Sequence, residues 1–157
     1  MTNESEIVAF LDRCHAAMEA KDIDGLMSFY APEIVYYDAV PPLRFRGTEE
    51  VRGNFLRWFD GYEGPISLET HDLTILTEGD VAVANMLNLD TGVRKGGLQQ
   101  SMWVRATTCL HRAGGTWTIT HEHISMPINP ATLQVWIATD KDELPDRVDA
   151  DVSRQAG

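Results

Sequence analysis

Hydrophobic positions recur at helical spacing early in the chain and at strand spacing from its middle onward. Ile7, Leu11, Cys14 and Met18 fall on one stripe, and Asn3 and Glu6 stand at capping-box spacing, which predicts an amphipathic helix over roughly 4–20. Asp22 can cap a second, short helix over 23–30 that Pro32 stops. Ile34, Val35, Tyr36 and Tyr37 are β-branched or aromatic and predict a strand ending at Asp38, which shares a face with Ile34 and Tyr36. After Pro41 and Pro42 break the chain, Gly47 and Thr48 open a third helix whose buried stripe is Val51, Phe55, Trp58 and Phe59. Beyond Gly61, Gly64 and Pro65 the period changes to that of strands. Stretches 66–76 and 81–89 flank a turn at 78–80, with Val81, Val83, Leu87 and Leu89 on one side of the second. A polar loop is expected over 90–97, a third strand over 98–112, and a three-residue turn at 113–115 into a last strand, 117–127. Helices first and an antiparallel meander after is an α+β order.

Alternation puts Trp117, Ile119, His121, His123 and Ser125 on one face of the last strand and Thr118, Thr120, Glu122 and Ile124 on the other. The first face begins as core and ends in two imidazoles and a hydroxyl, as the wall of a half-closed pocket would. The alternative is that both histidines are hydrogen-bonded core residues. The three-residue turn pairs His121 with Thr107 and His123 with Arg105, so that Trp103, Arg105, Thr107 and Cys109 share the histidine face. A one-residue slip sends all of them outward.

Composition narrows the function classes. A net charge of −11 with no Lys/Arg cluster repels phosphate backbones, so nucleic acid is not an expected partner. No apolar run reaches the length of a membrane span, and residues 1–6 lack the basic start and apolar stretch of a secretory signal, which places the chain in the cytoplasm. Cys14 and Cys109 are then two free thiols. A chain of 157 residues makes one domain, expected over 1–137, followed by an acidic, flexible tail over 138–157.

Three stretches carry a family resemblance: AKDIDG at 20–25, IVYYD at 34–38 leading to FRG at 45–47, and GTWTITHEHIS at 115–125. Together with the order of elements they resemble the nuclear transport factor 2-like superfamily, and the HEHIS ending its SnoaL-like branch, which also contains the association domain of calcium/calmodulin-dependent kinase II. The resemblance implies a cone-shaped fold, with three N-terminal helices packed on a strongly curved antiparallel sheet, a pocket between them, and pairing through the sheet. Asp38 matches the general base of the ketosteroid isomerases. The positions matching that family's oxyanion donors are Cys14 and Thr107, which departs from its pattern. Scytalone dehydratases are similar through Tyr37 and Asp38, and they use pocket histidines to move protons.

The expected ligand is therefore a small apolar or aromatic, polyketide-like molecule. If the chain is an enzyme, it is a cofactor-independent isomerase, dehydratase or cyclase in which Asp38 and His123 exchange a proton with the substrate, assisted by His121. Tyr36 and Thr107 would orient the substrate, as would Arg105 if it does not instead pair with Asp38 or Glu122 as plain architecture, and Tyr30, Trp58 and Trp103 if these aromatics are not simply core. A metal on His121 and His123 would need Asp38 or His71 as a third ligand, and none is expected. The rival reading is a non-catalytic ligand-binding or association module. A homodimer is the expected assembly in either case.

Overall fold

The apolar stripe of the first helix is buried as its spacing requires. In the computed structural model, which describes residues 2–137, α1 (Asn3–Glu19) buries Ile7, Leu11, Cys14 and Met18, with Phe10, against the inner face of a six-stranded sheet. The tail expected over 138–157 lies outside the described residues. The cap is Thr2 rather than Asn3, since the Thr2 side chain accepts from the Ser5 N–H. Glu6 is thereby free to accept from Trp117 Nε1 at 3.0 Å and Arg112 Nη1 at 3.2 Å, which ties the helix start to the far end of the sheet. No described helix is long and apolar enough to cross a membrane.

α2 (Ile23–Met27) is capped by Asp22, as predicted, but ends earlier, because Tyr30 already belongs to β1 (Tyr30–Tyr37). Pro32 is tolerated in that strand because it falls in the unpaired stretch between Tyr30 and Val35, where no ladder hydrogen bond is asked of it. β2 (Phe45–Arg46) then leads into α3 (Gly47–Asp60), which buries Val51, Phe55 and Phe59 and also Asn54. The long strands follow: β3 (Tyr62–Glu78), β4 (Val81–Arg94), β5 (Gln99–Ala113) and β6 (Thr116–Ser125), in the spatial order β2-β1-β6-β5-β4-β3. The sheet is mixed rather than wholly antiparallel, because β1 runs parallel to β6. The loop expected over 90–97 shrinks to a short turn, since β4 continues through Asp90 to Arg94 with partners on both sides. The turn before β6 is also tighter than expected, with Gly114 and Gly115 at φ of 59° and 82° as its two central residues. β7 (Ile128–Asn129) and β8 (Gln134–Val135) form a separate small hairpin.

Two one-residue bulges decide which side chains face the helices. In β3 the pairing steps between His71↔Leu87 and Thr74↔Asn85, beside Asp72 at φ 51°. In β6 it steps between Leu110↔Ile119 and Cys109↔His121, leaving Thr120 unpaired. Before the second bulge Trp117 and Ile119 are buried; after it Glu122 is buried and His123 exposed. The inner row of the sheet thus runs Ala84, Thr108, Glu122, Tyr36, and the outer row Asn85, Thr107, His123, Tyr37.

Candidate functional site

The helices and the inner face of the sheet enclose a cavity of about 340 Å³, within the range of small-molecule sites. Met18 of α1, Phe55 and Trp58 of α3, and Met86, Val104 and Ile124 of the sheet give it apolar walls. Into these walls are set three carboxyl groups, Asp38, Asp90 and Glu122, together with Tyr36, Asn54, Arg57 and Arg94. Strand period explains the placing of Tyr36, which β1 turns inward one position before its end, and of Asp90 and Arg94, which share a face of β4. Glu122 is inward only because of the bulge at Thr120.

The three carboxyl groups have different surroundings. Asp38 accepts hydrogen bonds on both oxygens, from Ala39 N–H and from Asn54 Nδ2, each at 2.6 Å. Asn54 is itself fixed, because Arg57 donates to its Oδ1. Asp90 is buried, and its Oδ1 has no hydrogen-bond partner among the described residues. Burial, aided by the charge of Asp38, raises its pKa to about 7. Glu122 is also raised to about 7 by burial, although Tyr30 Oη donates to it at 2.6 Å and Thr108 Oγ1 at 3.1 Å. Burial and the charges of Glu122, Asp38 and Asp90 push the Tyr36 phenol well up, which keeps it a proton donor. Across the cavity burial lowers the pKa of His15, whose Nδ1 lies 3.3 Å from Thr70 Oγ1.

Tyr30→Phe removes the stronger of the two donors that hold Glu122. It should lower stability by roughly 1–3 kcal/mol, with the larger loss above pH 7 where Glu122 is ionised. Urea unfolding at pH 5.5 and pH 8, about 1.5 units below and about 1 unit above that pKa, tests this; an absent loss would mean the bond carries no net weight, and an equal loss that ionisation of Glu122 does not strengthen it.

Comparison with known proteins gives this geometry a family. A family model described as SnoaL-like domain matches residues 7–129. The chain belongs to the SnoaL-like domain family. A solved NTF2-like protein of unknown function from Pseudomonas putida KT2440 is 30% identical over 87% of this chain and 95% of its own, with a TM-score of 0.78. A protein from Xanthomonas campestris provisionally named a calcium/calmodulin dependent protein kinase II association domain is 21% identical over 80% of this chain and 88% of its own, with a TM-score of 0.72. One from Streptomyces avermitilis, provisionally named a dehydratase of the NTF2-like family, is 17% identical over 81% of this chain and 98% of its own, also at 0.72. The last two similarities carry the fold alone. No curated protein matches the sequence.

The SnoaL-like domain brings only some of the predicted site residues together. Asp38, Tyr36 and Trp58 line the cavity, and Tyr30 lies behind it, bonded to Glu122. His121 and His123 do not line it, which corrects the face assigned to them. The His121 Nδ1–H donates to the Val35 carbonyl oxygen at 2.8 Å, and both rings pack edge-on against Tyr37 on the outer face. Arg105, Thr107 and Trp103 share that outer face and are corrected with them. Arg105 donates to Ser125 Oγ, Thr107 to Asn85 Oδ1, and Trp103 packs with Leu89 and the ring of His71. The expected pairing was also out of register, since His121 lies opposite Cys109 and His123 opposite Thr107. Among the described residues no three His, Cys, Asp or Glu side chains are grouped as a metal site requires. Asp90, Glu122, Asn54, Arg57 and Arg94 were not anticipated. One signal for Glu122 was available: Ile119 and Ile124 are an odd number of positions apart, so both can face the core only across a bulge.

Proposed function

We propose that this SnoaL-like domain is a cofactor-independent proton-transfer enzyme that enolises a small, ring-bearing carbonyl compound in the cavity, in an isomerisation or a dehydration. The observation that carries this reading is that Asp38 and Asp90 line one cavity in contrasting environments. Asp38 is a fixed, hydrogen-bonded carboxylate, whereas Asp90 is buried, unpartnered and raised to about 7. Carboxyl groups whose environments differ in this way can divide the base and acid roles. Asp38 takes the proton from the carbon next to the carbonyl. As that C–H bond breaks, charge moves to the carbonyl oxygen, which accepts hydrogen bonds from the Asp90 carboxyl and the Tyr36 phenol. Asp38 then returns the proton to the shifted position, or passes it to a β-hydroxyl group that the enolate expels as water. The provisional naming of a similar structure as a dehydratase fits this chemistry.

The test needs no known substrate. Aryl methyl ketones and cyclic enones are incubated with the protein in D₂O, and loss of the α-proton signal is followed by NMR. Exchange faster than in buffer, slowed by Asp90→Asn and by Tyr36→Phe, is the expected result. Exchange at the buffer rate across the panel would sink the reading.

A second reading concerns assembly: we propose that two copies pair through the outer face of the sheet. It is favoured by Tyr37, which lies exposed on that face with its ring against His121 and His123. Sedimentation velocity should report a dimer, and Tyr37→Asp a monomer; a monomeric wild type at tens of micromolar would refute it.

A further inference from the structure

The geometry points to a carboxylate on the ligand, held by Arg94 at the cavity wall, so that the substrate class is a ring-bearing oxo acid. This rests on the carbonyl reading above and adds the group at the ligand's other end.

The seat of Arg94 is built. Its guanidinium carbon lies 4.5 Å from the centroid of the Tyr62 ring, and both side chains line the cavity. A Cβ on Gly61 would come within 2.9 Å of Arg94 Nη1 and 3.2 Å of its Cζ, and a Cβ on Gly92 would meet Tyr62 Cδ1 at 2.8 Å. Neither glycine is required by the backbone: Gly61 has φ −71°, and Gly92 lies outside the left-handed region. What the two glycines supply is close approach, one for the ring and one for the guanidinium stacked on it.

The charge of Arg94 is uncompensated among the described residues. The chain has 24 acidic residues to 13 basic ones, and the cations near an acid use it: Arg52 pairs with Asp24, Arg112 with Glu6 and Asp80, and the adjacent Lys95 with Asp60. Arg57, the other cavity guanidinium, is engaged with Asn54. Arg94 therefore presents a planar, oriented fork to the cavity, and that fork matches a carboxylate with two parallel hydrogen bonds. Arg94 and Asp90 share a face of β4 four positions apart, a Cα separation of roughly 13 Å. A single ring carrying a carbonyl at one end and a carboxylate at the other spans what the two side chains leave open, with Trp58 and Met86 against its faces.

Isothermal titration calorimetry with 4-acetylbenzoate and its methyl ester separates the two ends of this ligand. The wild-type protein should bind the acid at least tenfold more tightly than the ester. Arg94→Met should erase that preference while the ester affinity stays within twofold, which also shows that the variant is folded. Gly61→Ala, which displaces the guanidinium without removing it, should cut the preference at least threefold and serves if Arg94→Met does not fold. Equal affinities in the wild type, or a preference that survives both substitutions, overturns the carboxylate assignment and leaves the carbonyl reading standing, because the ester still binds. If neither compound binds, both readings fall together.

Discussion

Asp38→Asn should slow α-proton exchange by about 10²–10⁴-fold, the usual worth of a positioned general base, while ketone affinity stays unchanged. The amide has the shape of the carboxylate but cannot take up a proton at neutral pH. It can still accept from Asn54 Nδ2, so the Arg57, Asn54 chain that orients the position survives. Its NH₂ group would then face the Ala39 N–H, and the lost hydrogen bond costs roughly 1 kcal/mol, small beside the catalytic effect. A fall in rate with an unfolding midpoint lowered by no more than that lost hydrogen bond, and with unchanged ketone affinity, assigns the proton to Asp38. A wild-type rate in the variant removes Asp38 from the mechanism and transfers the role to Glu122, the remaining carboxyl group on the cavity with a partner to hold it.

The thermal midpoint of the wild-type protein should fall between pH 5 and pH 8, and Asp90→Asn with Glu122→Gln should flatten the fall. Both carboxyl groups have folded pKa values of about 7, against ordinary values near 4, with burial as the main cause. Between those two values the folded protein keeps protons that the unfolded chain has released, so stability is lost as pH rises through the window and is fully present below it. A tenfold change in proton affinity is worth about 1.4 kcal/mol, so each group costs roughly 3–4 kcal/mol by pH 8. The excess of acidic side chains adds a slope of the same sign through self-repulsion, and the comparison with the variants is therefore the decisive one. A wild-type midpoint that rises over this range, or variants that follow the wild-type curve, would show that neither site is desolvated in solution. The same burial keeps Asp90 able to donate a proton at neutral pH, so the stability cost and the proposed chemistry have one origin.

How far the site was legible depends on the distance between the residues that set it. The stripe of Ile7, Leu11, Cys14 and Met18, the Asp22 cap and the α3 stripe are local, because a side chain's direction within a helix follows from sequence separation. Asp38 was legible for a similar reason: it stands at the end of a short strand whose inward face carries Ile34 and Tyr36. Sequence alone thus determined the α+β order, the family, the helices, and a carboxylate and an aromatic wall in the cavity.

What only the tertiary structure decided was the facing of the long strands. On β4 three larger apolar side chains, Val83, Leu87 and Leu89, lie on the outer face, while Ala82, Ala84, Asn88 and Asp90 face the helices with Met86 as the one large apolar residue among them. Hydrophobicity along that strand therefore points the wrong way, and Asp90 looked like the start of a loop. On β6 one unpaired residue, Thr120, exchanges His121 and His123 for Glu122, whereas β5 keeps a single alternation throughout, with Leu110, Thr108, Ala106 and Val104 on its buried face. A strand's side chains alternate with a period of two, so a single extra residue inverts everything downstream of it. Whether that residue is accommodated depends on partners in β5 and β1, far away in the sequence, and on the core that Ile119 and Ile124 must both reach.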